Sequence, residues 1–182
     1  LRPKKTGFDQ PREDNGFTIV EMLVVIGVLG VLMSLAVPSL HNHIIAKQVD
    51  TASVRLLHHL SLARVESIRS AWPVIICPRS REAGCKTSGS WTNGWFGFVD
   101  HDKNGQYAPG EKLLFISQSV PDVDIRWRTP NWLRFNPQGE AWPNGHFKLC
   151  STVATRRRAV IVYLSGRVRL ADRSPSGQAL TC

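Results

Sequence analysis

Four groups of residues in this 182-residue chain have types and spacings that could do chemistry. The first is acidic. Asp100-x-Asp102-x-Asn104-Gly105, followed by Glu111, sets oxygen donors at the intervals of a loop that wraps a hard cation, and calcium suits such donors. The same residues also suit a hairpin loop in which Asp and Asn side chains satisfy nearby backbone N–H groups. The second group is Cys77, Cys85, Cys150 and Cys182. No C-x-x-C or clustered Cys/His spacing supports zinc, so disulfides are the better reading; local spacing pairs Cys77 with Cys85 and leaves Cys150 for Cys182. The third is basic: Arg156-Arg157-Arg158 and Gly166-Arg167-Val168-Arg169. Residues 126–182 hold ten Lys+Arg against two Asp+Glu, whereas residues 17–125 hold nine of each sign. The positive field of a chain with net charge +9 therefore belongs to its C-terminal third, either as a solvated basic face or as a surface for the phosphates of DNA. The fourth is Glu21, a lone carboxylate in an apolar run. No Ser/His/Asp set in motif context, phosphate loop or cofactor fingerprint is present, so the pattern points away from an enzyme and, calcium apart, from any cofactor.

Residues 1–16 are polar and charged, and from Phe17 to Val37 the chain is apolar except for Thr18, Glu21, Ser34 and glycines. As a helix those 21 residues span about 31 Å, enough to cross a bilayer. A secretory signal peptide would release a secreted domain after Ala36, because Ser34-Leu35-Ala36 has the small-x-small pattern; an ordinary single-span anchor is the other plain reading. Glu21 argues against both, since an acid at the centre of an apolar span costs up to roughly 3 kcal/mol, less near its end, and such a group is a functional candidate.

The stretch Gly16-Phe17-Thr18-Ile19-Val20-Glu21-Met22-Leu23-Val24-Val25-Ile26 resembles the prepilin signature. The resemblance implies that residues 1–16 are a leader, that a prepilin peptidase/N-methyltransferase cuts between Gly16 and Phe17, and that the new amine of Phe17 is methylated. It also implies a single-pass protein of the bacterial inner membrane, with residues 17–37 as transmembrane and filament-core helix and the remainder in the periplasm. Glu21 lies one helical turn from the new amine, and in a stack of such helices it neutralises a neighbour's amine, so neither charge is buried alone. Gly30-x-x-x-Ser34 adds a small-residue face for helix contact.

Pro38 is expected to bend or interrupt the helix. Over residues 38–70 the pattern turns amphipathic, with Ile45, Val49, Ala52, Leu56, Leu60 and Ala63 on one face. His58 and His59 point different ways and read as solvated. Residues 71–182 read as a β-rich globular domain, with strands predicted over 74–77, 95–99, 113–117, 123–127, 133–136, 146–150, 159–164 and 167–170. One long helix followed by an antiparallel sheet makes the fold class α+β. Arg126-Trp127-Arg128 and Trp132-Leu133-Arg134-Phe135 interleave bases with aromatics as nucleic-acid platforms do, but simple alternation of buried and solvated positions accounts for them better. A two-residue turn at Ser165-Gly166 would set Leu164 opposite Arg167 and Val162 opposite Arg169. Ile161, Tyr163, Val168 and Leu170 would then face the core, and Arg156, Arg157, Arg158, Arg167 and Arg169 would form a cationic ridge.

Cys77-Pro78, Trp91-x-x-Gly94-Trp95, Phe98-Val99-Asp100, Gly110-Glu111, Phe147-x-x-Cys150, Gly166-Arg167-Val168-Arg169 and the final Cys182 resemble the FimT/GspH family of pilin-like proteins. That resemblance implies a pilin-like fold and filament partners of the same kind. It leaves two functions open: a minor pilin of a type IV pilus, with DNA contact during uptake, or an H-type pseudopilin serving as a structural part of a type II secretion machine. In either case the mature protein is expected to begin at Phe17 with a methylated amine; mass spectrometry finding an intact leader, or a start at Val37, would exclude the prepilin reading.

Overall fold

The structure is a computed structural model that describes residues 16–79, 85, 90–128, 131–153 and 155–182; the side chains of residues 35–39, 41 and 42 also lie outside that description. The chain divides into two compact units, Leu1–Leu40 and His41–Cys182. Helix α1, Ile19–Ser70, has 52 residues and contributes to both. Contrary to expectation, residue 38 does not interrupt it.

In the first unit, Thr18 caps the start of α1, its Oγ1 accepting the Glu21 N–H at 3.2 Å. The described side chains that follow are mostly apolar and exposed. Among the described residues no helix is long and apolar enough to cross a membrane. The expected span over 17–37 includes residues 35–37, whose side chains lie outside the described set, as do leader residues 1–15.

In the second unit, α1 buries the stripe that its periodicity marks: Ile45, Val49, Ala52, Leu56, Leu60 and Ala63 are each at most 1% exposed. The strands are β1 (Val74–Pro78), β2 (Gly94–Val99), β3 (Leu113–Gln118), β4 (Val123–Arg126), β5 (Leu133–Phe135), β6 (Ala141–Trp142), β7 (Gly145–Ser151), β8 (Arg157–Val162) and β9 (Val168–Ala171). They form two antiparallel sheets rather than one, ordered β3-β2-β1-β5-β6 and β4-β7-β8-β9. Both contribute to a single core with the helix stripe: Val74, Ile76, Trp95, Leu133 and Phe135 from the first, Val123, Ile125, Phe147, Leu149, Val160 and Val162 from the second. Two sheets fit because each needs only alternate side chains against the helix.

Each sheet has a smaller apolar cluster on its other face. Ile75, Cys77, Phe96 and Phe98 pack with Cys85, Tyr107 and Trp132, and Ala159 and Ile161 pack with Leu180. Both disulfides serve these covers. Cys77 is joined to Cys85 and Cys150 to Cys182, with Cα atoms 5.3 and 6.0 Å apart. The tryptophans at 91 and 95 are core residues, and the Trp127 ring stacks on Phe147 with centroids 4.1 Å apart.

His58 is exposed, but His59 is half-buried, which corrects the solvated reading of the pair. Its Nδ1 accepts the Trp95 Nε1–H at 3.0 Å, and its ring stacks on Phe115 at 4.3 Å. That stack needs Gly97, where a Cβ would come within 2.4 Å of the Phe115 ring. Burial, with the charges of His58 and Arg55 adding to it, pushes the His59 imidazole down to about 4. Glu66 ties α1 to the sheet edge: Arg69 donates to it at 2.8 and 2.7 Å and Lys112 at 2.7 Å. These bonds hold its carboxyl down to about 2.

Since Leu60 is fully buried and Val65 is 60% exposed, Leu60→Ala should lower stability by about 2–5 kcal/mol in chemical denaturation, and Val65→Ala by less than about 1 kcal/mol.

Candidate functional site

The first candidate region is the start of α1. Phe17, Ile19, Val20, Leu23, Ile26 and Val31 are each more than 60% exposed, and smaller exposures continue through Val24, Val25, Val28, Leu29, Leu32 and Met33. These positions run round the whole helix circumference, so no single polar face remains. Glu21 is exposed in their midst, and its carboxylate has no hydrogen-bond partner among the described residues. Ser34 donates its hydroxyl to Val31 O at 2.7 Å, and a Cβ on Gly27 or Gly30 would meet nothing within 4 Å. The surface is thus apolar, unpartnered and close to a single acid.

The second region is basic, and here the register differs from the sequence-based expectation. Val162 pairs with Val168 and Ile161 with Arg169, one residue off the expected alignment. The loop is Leu164-Ser165-Gly166, closed by Tyr163 N–H to Arg167 O at 2.9 Å and Gly166 N–H to Tyr163 O at 2.8 Å. Gly166, at φ 75°, takes the left-handed position that a three-residue hairpin loop requires. The slip turns Ile161 and Tyr163 to the outer face, where Leu180 covers Ile161 and Tyr163 stays exposed. Arg167, immediately before β9, and Arg169 within it nevertheless share that outer face, being two residues apart. Arg169 Nε donates to Tyr163 Oη at 2.7 Å.

The hairpin tip is held from behind. Arg64 on α1 donates to Gly139 O at 3.0 Å and to Ser165 O at 3.1 Å. Ala141 N–H donates to Leu164 O at 2.9 Å. A Cβ on Gly166 would lie 1.7 Å from Gly139 O, so only glycine fits where the two turns touch. Arg64 was not legible as a site residue, because its partners lie 75 and 101 residues away.

The run Arg156-Arg157-Arg158 does not form part of one ridge. Strand alternation sends its members to opposite faces. Arg156 donates to Asp50 Oδ1 at 3.0 and 2.8 Å, and Arg158 donates to the same oxygen at 2.8 Å and also to Asp172. Arg157 turns the other way and donates to Leu180 O at 2.8 Å. Burial raises the Asp50 carboxyl, but the hydrogen bonds and charges of Arg158 and Arg156 outweigh it and hold the group below its ordinary 3.8. Of the expected ridge, Arg157, Arg167 and Arg169 lie on the outer face, with Arg157 tied to the Leu180 carbonyl. The arginines of Arg126-Trp127-Arg128 are also tied: Arg126 to Asp124 at 2.6 Å and Arg128 to Asn144 O at 3.1 Å.

The third region is the acidic loop between β2 and β3. Asp100, Asp102 and Glu111 bring carboxylate oxygens within 4.8 Å of one another. Asx-type bonds are present as well: Asn104 N–H donates to Asp102 Oδ1 at 3.1 Å, and Gln106 N–H to Asn104 Oδ1 at 2.6 Å. Burial, despite the Gly105 N–H bond, lifts the Asp100 carboxyl above its ordinary value, with the adjacent Asp102 side chain and the charges of Glu111 and Asp102 adding to the rise.

Residues 52–166 match the family described as type II transport protein GspH, and residues 11–37 match the prokaryotic N-terminal methylation motif. The chain is 35% identical over 164 residues to the pilin-like protein PilA1 of Thermus thermophilus, which covers 85% of this chain and 97% of that protein. Among solved structures it is similar to the type IV minor pilin FimU of Pseudomonas aeruginosa, with TM-score 0.57, 18% identity and coverage of 72% of this chain and 95% of that one. It is also similar to the minor pseudopilin EpsH from the type 2 secretion system of Vibrio cholerae, with TM-score 0.51, 14% identity and coverage of 70% and 98%. At those identities the two structures establish the fold alone.

The depressed Asp50 carboxyl contributes stability that is fully present above 3.8 and is lost as pH falls below it. Asp50→Asn should therefore cost about 1–3 kcal/mol at neutral pH in urea denaturation and flatten the acid limb of the stability curve. An unchanged urea midpoint at neutral pH, with the acid limb also unchanged, would show that the two arginines do not need this partner.

Proposed function

Because the chain belongs to the GspH family and carries the N-terminal methylation motif, it is a pilin-like protein, and we propose that it is a minor pilin of a type IV pilus system. Its relatives are pilins and a pseudopilin, and the chain is a structural protein rather than an enzyme that assembles with other pilins. The observation that carries the reading is the helix surface from Phe17 to Met33, apolar around its whole circumference and uncovered. A helix of that kind is stable in contact with lipid or with like helices, not with water.

On this reading, a prepilin peptidase cuts between Gly16 and Phe17 and methylates the Phe17 amine. Residues 17–37 anchor the protein in the inner membrane by a single pass, with the globular domain in the periplasm. On assembly the same helix moves into the filament core. Glu21 then faces the Phe17 amine of a neighbouring subunit, and the pair enters the apolar core as neutral. The amine supplies the counter-charge that Glu21 lacks among the described residues of its own chain.

DNA contact in this proposal falls to the β8–β9 hairpin, where Arg167 and Arg169 share the outer face. Support comes from the tip being held by Arg64 and from Arg156 and Arg158 being already paired with Asp50. Such contacts reach phosphates only, so binding is indifferent to sequence and falls steeply with salt. A second reading, an H-type pseudopilin of a type II secretion machine, draws support from the description of the matching family. It requires the same anchor and the same Glu21, but no DNA contact.

Glu21→Ala should leave cleavage intact and sharply reduce the protein recovered in sheared filaments, while assembly at the parental level would remove the role given to Glu21. For DNA, the full chain in detergent should bind short duplexes at low salt, and Arg167→Ala with Arg169→Ala should reduce the log–log salt slope by about two units. Absence of binding by the parent at low salt would favour the pseudopilin reading.

A further inference from the structure

We propose that the loop from Asp100 to Glu111 binds a calcium ion through the carboxylates of Asp100, Asp102 and Glu111. The loop runs twelve residues, with Asp, Asp, Asn and Glu at its first, third, fifth and twelfth positions and glycine at the sixth. That order of donors is the one by which a chain wraps calcium, and Gly105, at φ 73°, makes the sharp turn it needs. The flanks here are β2 and β3 instead of helices, and Val99 N–H to Lys112 O at 2.9 Å closes the loop at its base.

Spacing and clustered acids alone would be satisfied by a solvated loop. The independent observation is one atom. Asp100 is 2% exposed; its Oδ2 accepts the Gly105 N–H at 3.1 Å, while its Oδ1 is buried and has no hydrogen-bond partner among the described residues. A buried carboxylate oxygen without a donor or cation is costly. Lys103 and Arg134 line the same cavity as Asp100, but among the described residues neither is paired with any of the three acids. Lys103 Nζ sits 5.4 Å from the centroid of the Trp72 ring, Lys112 is bonded to Glu66, and no ion pair among the described residues reaches any of the three acids. A cation held between the three carboxylates supplies the missing partner and neutralises the mutual repulsion.

The donors are also held in place for this. Glu111 Oε1 accepts the His101 N–H at 3.0 Å and Oε2 the Ala108 N–H at 3.0 Å. Asp102 is fixed by the backbone and side chain of Asn104 at 3.1 and 2.6 Å. Each of these oxygens keeps a second lone pair for a metal. The donor set is all oxygen, which selects a hard cation, and an irregular loop tolerates the variable geometry of calcium better than the strict octahedron of magnesium. The loop also helps cover one face of β1–β2: Tyr107 packs edge-on against Phe98 at 5.4 Å, and Gln106 donates to Cys85 O at 3.4 Å. Calcium would therefore stiffen that cover together with the Cys77–Cys85 disulfide.

The test uses the full chain in detergent, stripped with chelator and titrated calorimetrically with calcium chloride and, separately, magnesium chloride. One calcium per chain is expected, with a dissociation constant on the order of 10⁻⁴–10⁻³ M, as in extracellular modules, together with a raised melting temperature. Asp102→Asn preserves an acceptor for Asn104 and should weaken calcium at least about tenfold, the equivalent of roughly 1.4 kcal/mol; Glu111→Gln should do the same. No saturable calcium uptake by the parent overturns the proposal, as does equal uptake by the parent and both variants, or magnesium binding as tight as calcium. Filament assembly and DNA binding are not readouts, so this result stands apart from the pilin reading.

Discussion

Ile45, Val49, Ala52, Leu56, Leu60 and Ala63 must lie along one side of α1 and find apolar cover, and the two sheets are stable where they are because they supply it. Neither sheet has a complete core of its own. The first offers Val74, Ile76 and Phe135, the second Phe147, Leu149 and Val160, and the helix stripe lies against both sets. Burying a side chain of that size contributes about 1.5–3 kcal/mol, so losing the stripe would leave both sheets short of what chain ordering costs. The two satellite clusters then follow. Each closes the far side of a sheet that the helix has already positioned, and each is fastened by a disulfide.

Charge is distributed by the same scaffold. The C-terminal third is strongly basic by count, yet several of its cationic side chains are tied internally, three of them to carboxylates. Asp50 takes Arg156 and Arg158, Asp172 takes Arg158 as well, and backbone carbonyls take Arg157, Arg128 and Lys148. These contacts fix strand β8 against the helix and the chain terminus against β7 and β8. The β8–β9 hairpin presents Arg167 and Arg169 on a small feature that is supported from behind. Net charge is thus a poor measure of binding surface in a protein whose strands alternate arginine between a helix and a tail.

Three surfaces with different chemistry result. The helix from Phe17 to Met33 is apolar with one acid, the hairpin is cationic and held from behind, and the loop from Asp100 to Glu111 is anionic with one oxygen lacking a partner among the described residues. Each is bounded by regular elements, so each has a defined geometry. The helix surface needs like neighbours or lipid, and the other two act at the domain surface without altering the core.

The sequence by itself determined what depends on local period and local type. The helical stripe was legible because 3.6-residue periodicity persists from Ile45 to Ala63. The strands were legible at most of their positions because each is short, apolar or alternating, and bounded by turn residues. The prepilin-like segment was legible from the run of residue types Gly16 to Ile26, which resembles the methylation motif and sets one carboxylate in an apolar stretch. Three things were decided only by tertiary structure. The β8–β9 register slipped by one because a three-residue loop with Gly166 packs against Gly139 and Arg64, contacts that no local pattern encodes. The arginine run was split because Asp50 lies 106 and 108 residues away in sequence but against β8 in space. His59 became half-buried because Trp95 and Phe115 close over it from β2 and β3. In each case the deciding energy is a contact between residues far apart in the chain, and spacing along a sequence carries no information about such distances.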